Sequence, residues 1–204
     1  MRIELLQVGK RYNRDWIYKK LDYTFITGSY AITGNNGSGK STLLQTIAGY
    51  ISPSSGSINY NHHQKNIDCD QIFNHIAIAT PYLDLIEEMT SLELIHFQTT
   101  FKPYKKDITA EIILETCGLK SAANKQIRYF SSGMKQRLKL GLAFFADTPM
   151  LLLDEPCSNL DKAGIEVYLK LIREECDDRL VIVCSNDEQE ISFCQHRLSI
   201  MDYK

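Results

Sequence analysis

Hydrophobic and polar residues alternate over positions 1–30, as in Arg2-Ile3-Glu4-Leu5 and Leu21-Asp22-Tyr23-Thr24-Phe25. A period of two is that of half-buried antiparallel strands. Tyr30-Ala31-Ile32-Thr33 then reads as a short buried strand leading into a glycine-rich loop, Gly34 to Gly39, and a helix from Lys40 to about Tyr50. Ser52-Pro53-Ser54-Ser55-Gly56 is a breaker cluster that ends the helix. From about Asp84 to Ala146 the apolar residues recur at helical spacing: Leu92, Ile95 and Phe97, then Ile108, Ile112, Ile113, Leu114 and Leu119, with Gly118 suited to a helix C-terminus. Met150-Leu151-Leu152-Leu153 and Leu180-Val181-Ile182-Val183-Cys184 are unbroken apolar runs, which suit strands of a parallel sheet covered on both faces. Between them Ala163 to Glu175 is an amphipathic helix, so the unit is strand–helix–strand, and Arg197 to Met201 closes the chain as a last strand. The pattern predicts an α/β fold with a mixed or parallel sheet, an N-terminal antiparallel β-subdomain over about 1–30 and a helical subdomain over about 84–145.

Composition narrows the class. The 204 residues are 44% hydrophobic and 24% charged with a net charge of −2, an ordinary globular profile without the basic surplus of a nucleic-acid binder. Lys135, Arg137 and Lys139 cluster locally and read as a solvated helix face. No apolar run approaches the roughly 20 residues that span a bilayer, and the N-terminus lacks the features of a signal peptide. A soluble cytoplasmic protein is expected, with any membrane span supplied by another chain. The short stretch after the last core strand predicts no C-terminal regulatory domain. The six cysteines have neither C-x-x-C nor zinc spacing and are expected as reduced thiols, and His62-His63 as exposed bystanders.

The chemistry enters with Gly34-Asn35-Asn36-Gly37-Ser38-Gly39-Lys40-Ser41, a full match to G-x-x-x-x-G-K-[ST] between a strand and a helix that continues through Thr42. Glycines let the backbone curl so that successive N–H groups meet phosphate oxygens, and the helix N-terminus adds partial positive charge. Lys40 would reach the β- and γ-phosphates of ATP, and the Ser41 hydroxyl would ligate Mg²⁺. Asn124-Lys125-Gln126-Ile127 departs from the guanine-reading N-K-x-D at its last position, which argues against GTP. Leu151-Leu152-Leu153-Asp154-Glu155-Pro156 delivers two adjacent acids at the C-terminal edge of a strand, where ligands bind in open α/β sheets. Asp154 would hold Mg²⁺, directly or through water, and Glu155 would polarise the attacking water as general base.

With these two motifs in place, further segments resemble the ATPase subunits of ABC transporters along nearly the whole chain, which would make 1–204 a single ABC ATPase domain on a P-loop NTPase core. Phe130-Ser131-Ser132-Gly133-Met134-Lys135-Gln136-Arg137-Leu138 looks like a degenerate form of the family signature L-S-G-G-Q. Ser158-Asn159-Leu160-Asp161 resembles the D-loop, and Tyr12 stands where the family places an aromatic against adenine, with Trp16 a second candidate and a core role the alternative for either. The resemblance implies a head-to-tail dimer, homomeric or heteromeric. Ser131, Ser132 and Gly133 would meet the γ-phosphate held by the other subunit's P-loop, and Asp161 would lie beside it. It also implies a separate membrane-spanning partner, a peripheral place on the inner face of the membrane and no nucleic acid.

Three positions depart from the family pattern. The signature reads S-S-G-M, a variant similar to that of polysaccharide exporters, which leans the reading toward export. Ala79-Thr80-Pro81-Tyr82-Leu83 carries no glutamine at the Q-loop position. Ser185-Asn186-Asp187 stands where S-H-D is expected; Asn186 can donate a hydrogen bond to a phosphate as part of the catalytic set but cannot become cationic. The alternatives are a degenerate ATP-clamping cassette with weak hydrolysis and a soluble ABC protein outside transport.

Overall fold

The computed structural model describes residues 1–204. In chain order its elements are β1 (Arg2–Tyr12), β2 (Asp15–Ile26), β3 (Gly28–Thr33), α1 (Lys40–Ile47), β4 (Ser55–His62), β5 (Lys65–Ile67), β6 (Ile76–Ala79), α2 (Ser91–Thr99), α3 (Ala110–Thr116), α4 (Ser132–Phe144), β7 (Met150–Asp154), α5 (Lys162–Glu175), β8 (Leu180–Cys184), α6 (Glu188–Ile191) and β9 (His196–Ser199). Short 3-10 turns join several of them, and Ile200–Tyr203 forms one at the end. The chain divides into two compact units: Met1–Ile76 with Pro149–Asp154 and Asp178–Lys204, and Ala77–Thr148 with Glu155–Asp177.

The first unit holds two sheets. One is antiparallel in the order β2-β1-β4-β5. Along β1, Ile3 and Leu5 point into the core, but the next buried residue is Val8, so the alternation slips by one. The slip is a bulge: Gln7 has φ +51, the β1–β2 register shifts between Leu5 and Val8, and the Gln7 N–H donates to Asp22 Oδ1 at 2.7 Å. Leu6 is left 46% exposed as a consequence. Gly56 of β4 crosses this bulge with φ +76, and a Cβ there would collide with the Leu6 and Gln7 carbonyls. Helix α1 ends at Ile47, short of the predicted Tyr50 and before the Ser52–Gly56 cluster, because Gly49 takes φ +75; the cluster instead holds the start of β4 at Ser55. β4 and β5 carry no strand signal because most of their side chains are polar and exposed or half-buried; pairing of β4 with β1 and of β5 with β4 overrides propensity.

The other sheet sets β7, β8, β3 and β9 side by side, all parallel. Every residue of β7 and β8 is buried, as their unbroken apolar sequences require. Truncating one of these, such as Leu152→Ala, would cost about 2–5 kcal/mol. Helix α1 packs against β7 and β8. The buried Tyr18 hydroxyl of β2 lies 2.7 Å from Thr46 Oγ1 of α1, and burial pushes its pKa up to about 12. The last strand spans His196–Ser199 rather than Arg197–Met201, because the chain coils into the 3-10 turn at Ile200.

The second unit is mainly helical, and α4 packs against α2, α3 and α5. Thr90 caps α2 in a capping box with Glu93, whose carboxyl is held below its usual range by bonds from the Thr90 backbone and side chain. Gly118 follows α3 with φ +64, as its helix-end role predicts. The basic cluster on α4 is not a solvated face. Lys135 pairs with Glu87, Arg137 Nη1 donates to the Cys117 carbonyl at 2.8 Å, and Lys139 Nζ reaches the Thr80 and Pro81 carbonyls at 3.2 and 3.1 Å. Each of these partners lies 20 or more positions away along the chain, which sequence adjacency cannot reveal. No disulfide links the six cysteines, and no helix is long and apolar enough to cross a membrane.

Candidate functional site

In the first unit the chain leaves β3 at Thr33 and curls through Gly34–Gly39 into α1. The Ser38 N–H donates to the Asn35 carbonyl at 2.9 Å, closing the turn. Gly37 has φ +74 and open space beside its Cα, whereas Gly39 has φ +100 and a Cβ there would collide with Ile17 of β2. Glycine is thus required at Gly39 twice over, for its backbone angle and for close approach. Gly39 is also the N-cap of α1 and gives no side-chain bond, and the first turn carries no acid. Helices α2 to α5 are all capped by a side chain, from Thr90, Thr109, Ser131 and Asp161. Only α1, among these five, leaves its first N–H groups and their positive potential to an outside anion.

Lys40 is 6% exposed, and its Nζ donates to the Gly34 carbonyl at 2.7 Å and more weakly to that of Asn35 at 3.4 Å. Ser38 is equally buried, yet its Oγ has no hydrogen-bond partner. A buried hydroxyl in that state costs stability until an acceptor reaches it, and a phosphate oxygen is of the right chemistry to serve. Asn35, Asn36 and Gly37 form the exposed rim of the loop, and Ser41 and Thr42 are half-buried in the first turn of α1. Asp154, 2% exposed, ends β7, against which α1 packs. The Ser41 hydroxyl and the Asp154 carboxylate are hard oxygen donors that fit Mg²⁺.

Asn186 follows β8 and makes two bonds to one residue of this loop. Its Nδ2 donates to the Gly34 carbonyl at 2.7 Å, and its Oδ1 accepts from the Gly34 N–H at 3.1 Å. The amide is thus engaged with backbone rather than standing as a lone donor. Tyr12 and Trp16 lie at the turn end of the β1–β2 hairpin, 50% and 40% exposed, so neither is a core residue. Each ring is covered by a cation, Lys10 at 5.2 Å from the Tyr12 centroid and Arg11 at 5.5 Å from that of Trp16.

The second unit holds the other sequence-predicted residues. Glu155 is exposed with φ +44, a left-handed conformation that costs a non-glycine residue about 1–3 kcal/mol. The turn is held by the Ser158 N–H on the Glu155 carbonyl at 3.0 Å and by buried Gln136, whose Nε2 donates to the Pro156 carbonyl at 2.8 Å. Ser131 caps α4, accepting from the Met134 N–H at 3.2 Å, and Ser131 and Ser132 are exposed. Gly133 lies so close to the Asn159 carbonyl that a Cβ would approach it to 3.0 Å, which joins the signature segment to the Ser158–Asp161 segment. Asp161 caps α5 through Gly164 N–H at 2.8 Å. Thr80, at the position without a glutamine, is fully buried and its Oγ1 lacks a partner.

Sequence reasoning overlooked Gln136, Ile200 and Lys204. Buried Ile200 occupies the space beside Gly34, and Lys204 Nζ bonds the Ser38 and Ile17 carbonyls at 2.6 and 2.8 Å. Nothing local marks Lys204, which is 166 positions from Ser38. For Gln136 the available signal was its place one helical turn and a half beyond Ser131, on the buried side of α4.

Comparison with known proteins agrees with this geometry. The family model for the ABC transporter matches residues 18–158. An uncharacterized ABC transporter ATP-binding protein of Bacillus subtilis, YybJ, is 28% identical over 201 residues, 97% of this chain and 92% of that protein. The cytochrome c biogenesis ATP-binding export protein CcmA of Xylella fastidiosa is 36% identical over 134 residues, 66% of this chain and 60% of that one. Among solved structures, the ATP-binding cassette MJ0796, a dimer in a post-hydrolysis state bound to ADP and Pi, superposes with a TM-score of 0.80 at 24% identity over 97% of this chain and 93% of that chain. The chain belongs to the ABC transporter family, as an ATP-binding ATPase subunit.

Proposed function

We propose that this chain binds ATP with Mg²⁺, hydrolyses it as a head-to-tail dimer and so drives a separate membrane-spanning partner, from a peripheral position on the inner face of the membrane. The observation that carries the reading is the glycine loop itself: an uncapped helix N-terminus, a buried lysine and a buried serine hydroxyl without a partner. Lys40 exchanges the Gly34 carbonyl for the β- and γ-phosphates, and backbone N–H groups from Gly34 to Thr42 bind the remaining oxygens. Ser41 and Asp154 would hold Mg²⁺, which would supply charge neutralisation at the phosphates. Glu155 orients a water for attack on the γ-phosphorus and takes its proton as the bond to the β-phosphate oxygen breaks, giving ADP and phosphate. The strained backbone of Glu155 fits a catalytic assignment, since such strain collects at functional sites. Tyr12, helped or replaced by Trp16, stacks on adenine.

Ser131, Ser132, Gly133 and Asp161 act on the nucleotide of a second copy or a homologous subunit. In favour of this, the two serines are exposed at a helix N-terminus and have no phosphate loop in their own unit. The MJ0796 cassette, dimeric and bound to ADP and Pi, supports a dimer for this chain. The lean toward export rests on the S-S-G-M signature and on the export role in the name of CcmA. A second reading, an ATP clamp with slow hydrolysis, is favoured by Asn186, an amide where the family pattern has histidine.

The test is phosphate release from ATP by the purified chain, with and without EDTA. Release that stops when Mg²⁺ is chelated and resumes when it is restored supports the reading; release unaffected by chelation overturns it. Recovery of a membrane-spanning protein with the tagged chain from native membranes tests the partner, and a preparation bound only to soluble proteins overturns that part.

A further inference from the structure

We propose that Asn186 is a positioning residue that holds the phosphate loop in its binding conformation and keeps the Gly34 carbonyl bonded when Lys40 leaves it. The inference rests on the phosphate-loop reading above but assigns Asn186 a role other than contact with the γ-phosphate. Two donors converge on one oxygen: Lys40 Nζ and Asn186 Nδ2 each lie 2.7 Å from the Gly34 carbonyl. A carbonyl oxygen has two lone pairs, so both are occupied. Nucleotide binding draws the ammonium to the phosphates, and that carbonyl then loses its charged partner. The carboxamide keeps it bonded and, through Oδ1, holds the Gly34 N–H at 3.1 Å as well. A neutral imidazole carries its donor and acceptor on opposite sides of a ring and cannot bracket a single residue in this way.

The turn after β8 does not need Asn186. Asp187 caps α6 by accepting from the Gln189 N–H at 2.9 Å, Ser185 Oγ accepts from the Asp187 N–H at 2.9 Å, and the Ser185 N–H is on the Ile32 carbonyl at 3.3 Å. Asparagine often caps its own turn, but here that work falls to its neighbours, and the Asn186 side chain reaches 152 positions back along the chain. Its target is also a confined point of the loop. Gly34 has φ +147, and a Cβ would crowd Ile200 Cγ2 at 2.6 Å and Ser38 Oγ at 2.8 Å. Ile200 fills one side of Gly34, and the amide closes its polar edge.

A residue that sets the fraction of loops competent to bind weakens every ligand of that loop by the same factor when it is removed. A γ-phosphate donor instead weakens only triphosphates. A merely structural residue lowers the melting temperature and leaves affinity alone. Calorimetric titration of the full chain with ADP and with a non-hydrolysable β,γ-imido analogue of ATP, both with Mg²⁺, separates the three. For Asn186→Ala we expect both dissociation constants to rise equally, about tenfold, as two modest hydrogen bonds are lost. A rise for the triphosphate analogue alone, or unchanged affinities with an earlier melt, overturns the proposal. Should the alanine variant not fold, Asn186→His, which keeps one donor at most toward Gly34, is expected to weaken both nucleotides by an equal and smaller factor. Tighter or weaker binding of the triphosphate alone overturns the proposal in that variant too. Wild-type chain that binds neither nucleotide would overturn the phosphate-loop reading itself, an outcome distinct from a variant that matches the wild type.

Discussion

In the first unit the polar groups of the glycine loop are turned on one another: Lys40 and Asn186 on the Gly34 carbonyl, Lys204 on that of Ser38, and Ser38 Oγ buried among them. In the second unit Ser131 and Asp161 each serve one helix N-terminus, and beyond that bond Ser131, Ser132 and Asp161 face outward. One region is a receptor assembled within itself; the other offers capped helix ends exposed in their own unit. The contrast teaches that the glycine loop is held by bonds within its own unit, whereas the signature segment is held only at its helix start, which is why its object is proposed on a second chain. The boundary between the units falls between Asp154 and Glu155, so the two acids that sequence presents as a pair belong to different bodies.

The contrast breaks most sharply at Lys40. Lys40→Ala removes the charge of the receptor half, and nucleotide affinity is expected to fall by about 10²-fold or more, the loss of charge-assisted bonds to two phosphates. Titration with ATP measures it, and a variant that keeps wild-type affinity would end the idea of a self-contained receptor. Glu155→Gln, one step across the boundary, is expected to leave affinity intact and slow turnover by about 10²-fold or more, since an amide cannot take the proton of water. Steady-state phosphate release reads the second effect; unchanged turnover would move the base elsewhere.

Ser131→Arg sharpens the comparison from the other side. A single chain should bind ATP as before, but ATP-dependent dimerisation on the Glu155→Gln background should be lost, as sedimentation would show. Dimers that form normally would remove Ser131 from any interface. The smallest expected effect lies at His62. Burial lowers its pKa, helped by His63, the N-terminal ammonium and His75, whose ring sits 5.8 Å away. The unfolded chain therefore binds a proton at higher pH than the folded chain, and stability contributed by neutral His62 is lost as pH falls below about 6.5. His62→Gln should flatten the decline in melting temperature between about pH 7.5 and 5.5; an identical slope would show that His62 contributes nothing to it.

Position along the chain was enough for the strand–loop–helix around Gly34–Lys40 and for the Asp154-Glu155 pair, because local pattern dictates both. The helical character of Ser91–Phe144 was legible for the same reason, its apolar spacing being local. The strands β4 and β5 were not, since their polar residues take strand form only by pairing, β4 with β1 and β5 with β4. The cations of α4 were misread as solvated because their partners Glu87, Cys117 and Thr80 lie far off in sequence.

By itself, the sequence determined the phosphate loop, its buried parallel strands and the class of ligand, since glycine, lysine and serine at that spacing have few other uses between a strand and a helix. Only the tertiary structure decided that Asn186 brackets Gly34, that Lys204 bonds Ser38, and that Gln136 holds the turn beside Glu155. Each of these depends on where distant backbone carbonyls come to rest. Carbonyl groups are the same at every residue, so no sequence pattern can say which of them a side chain will find.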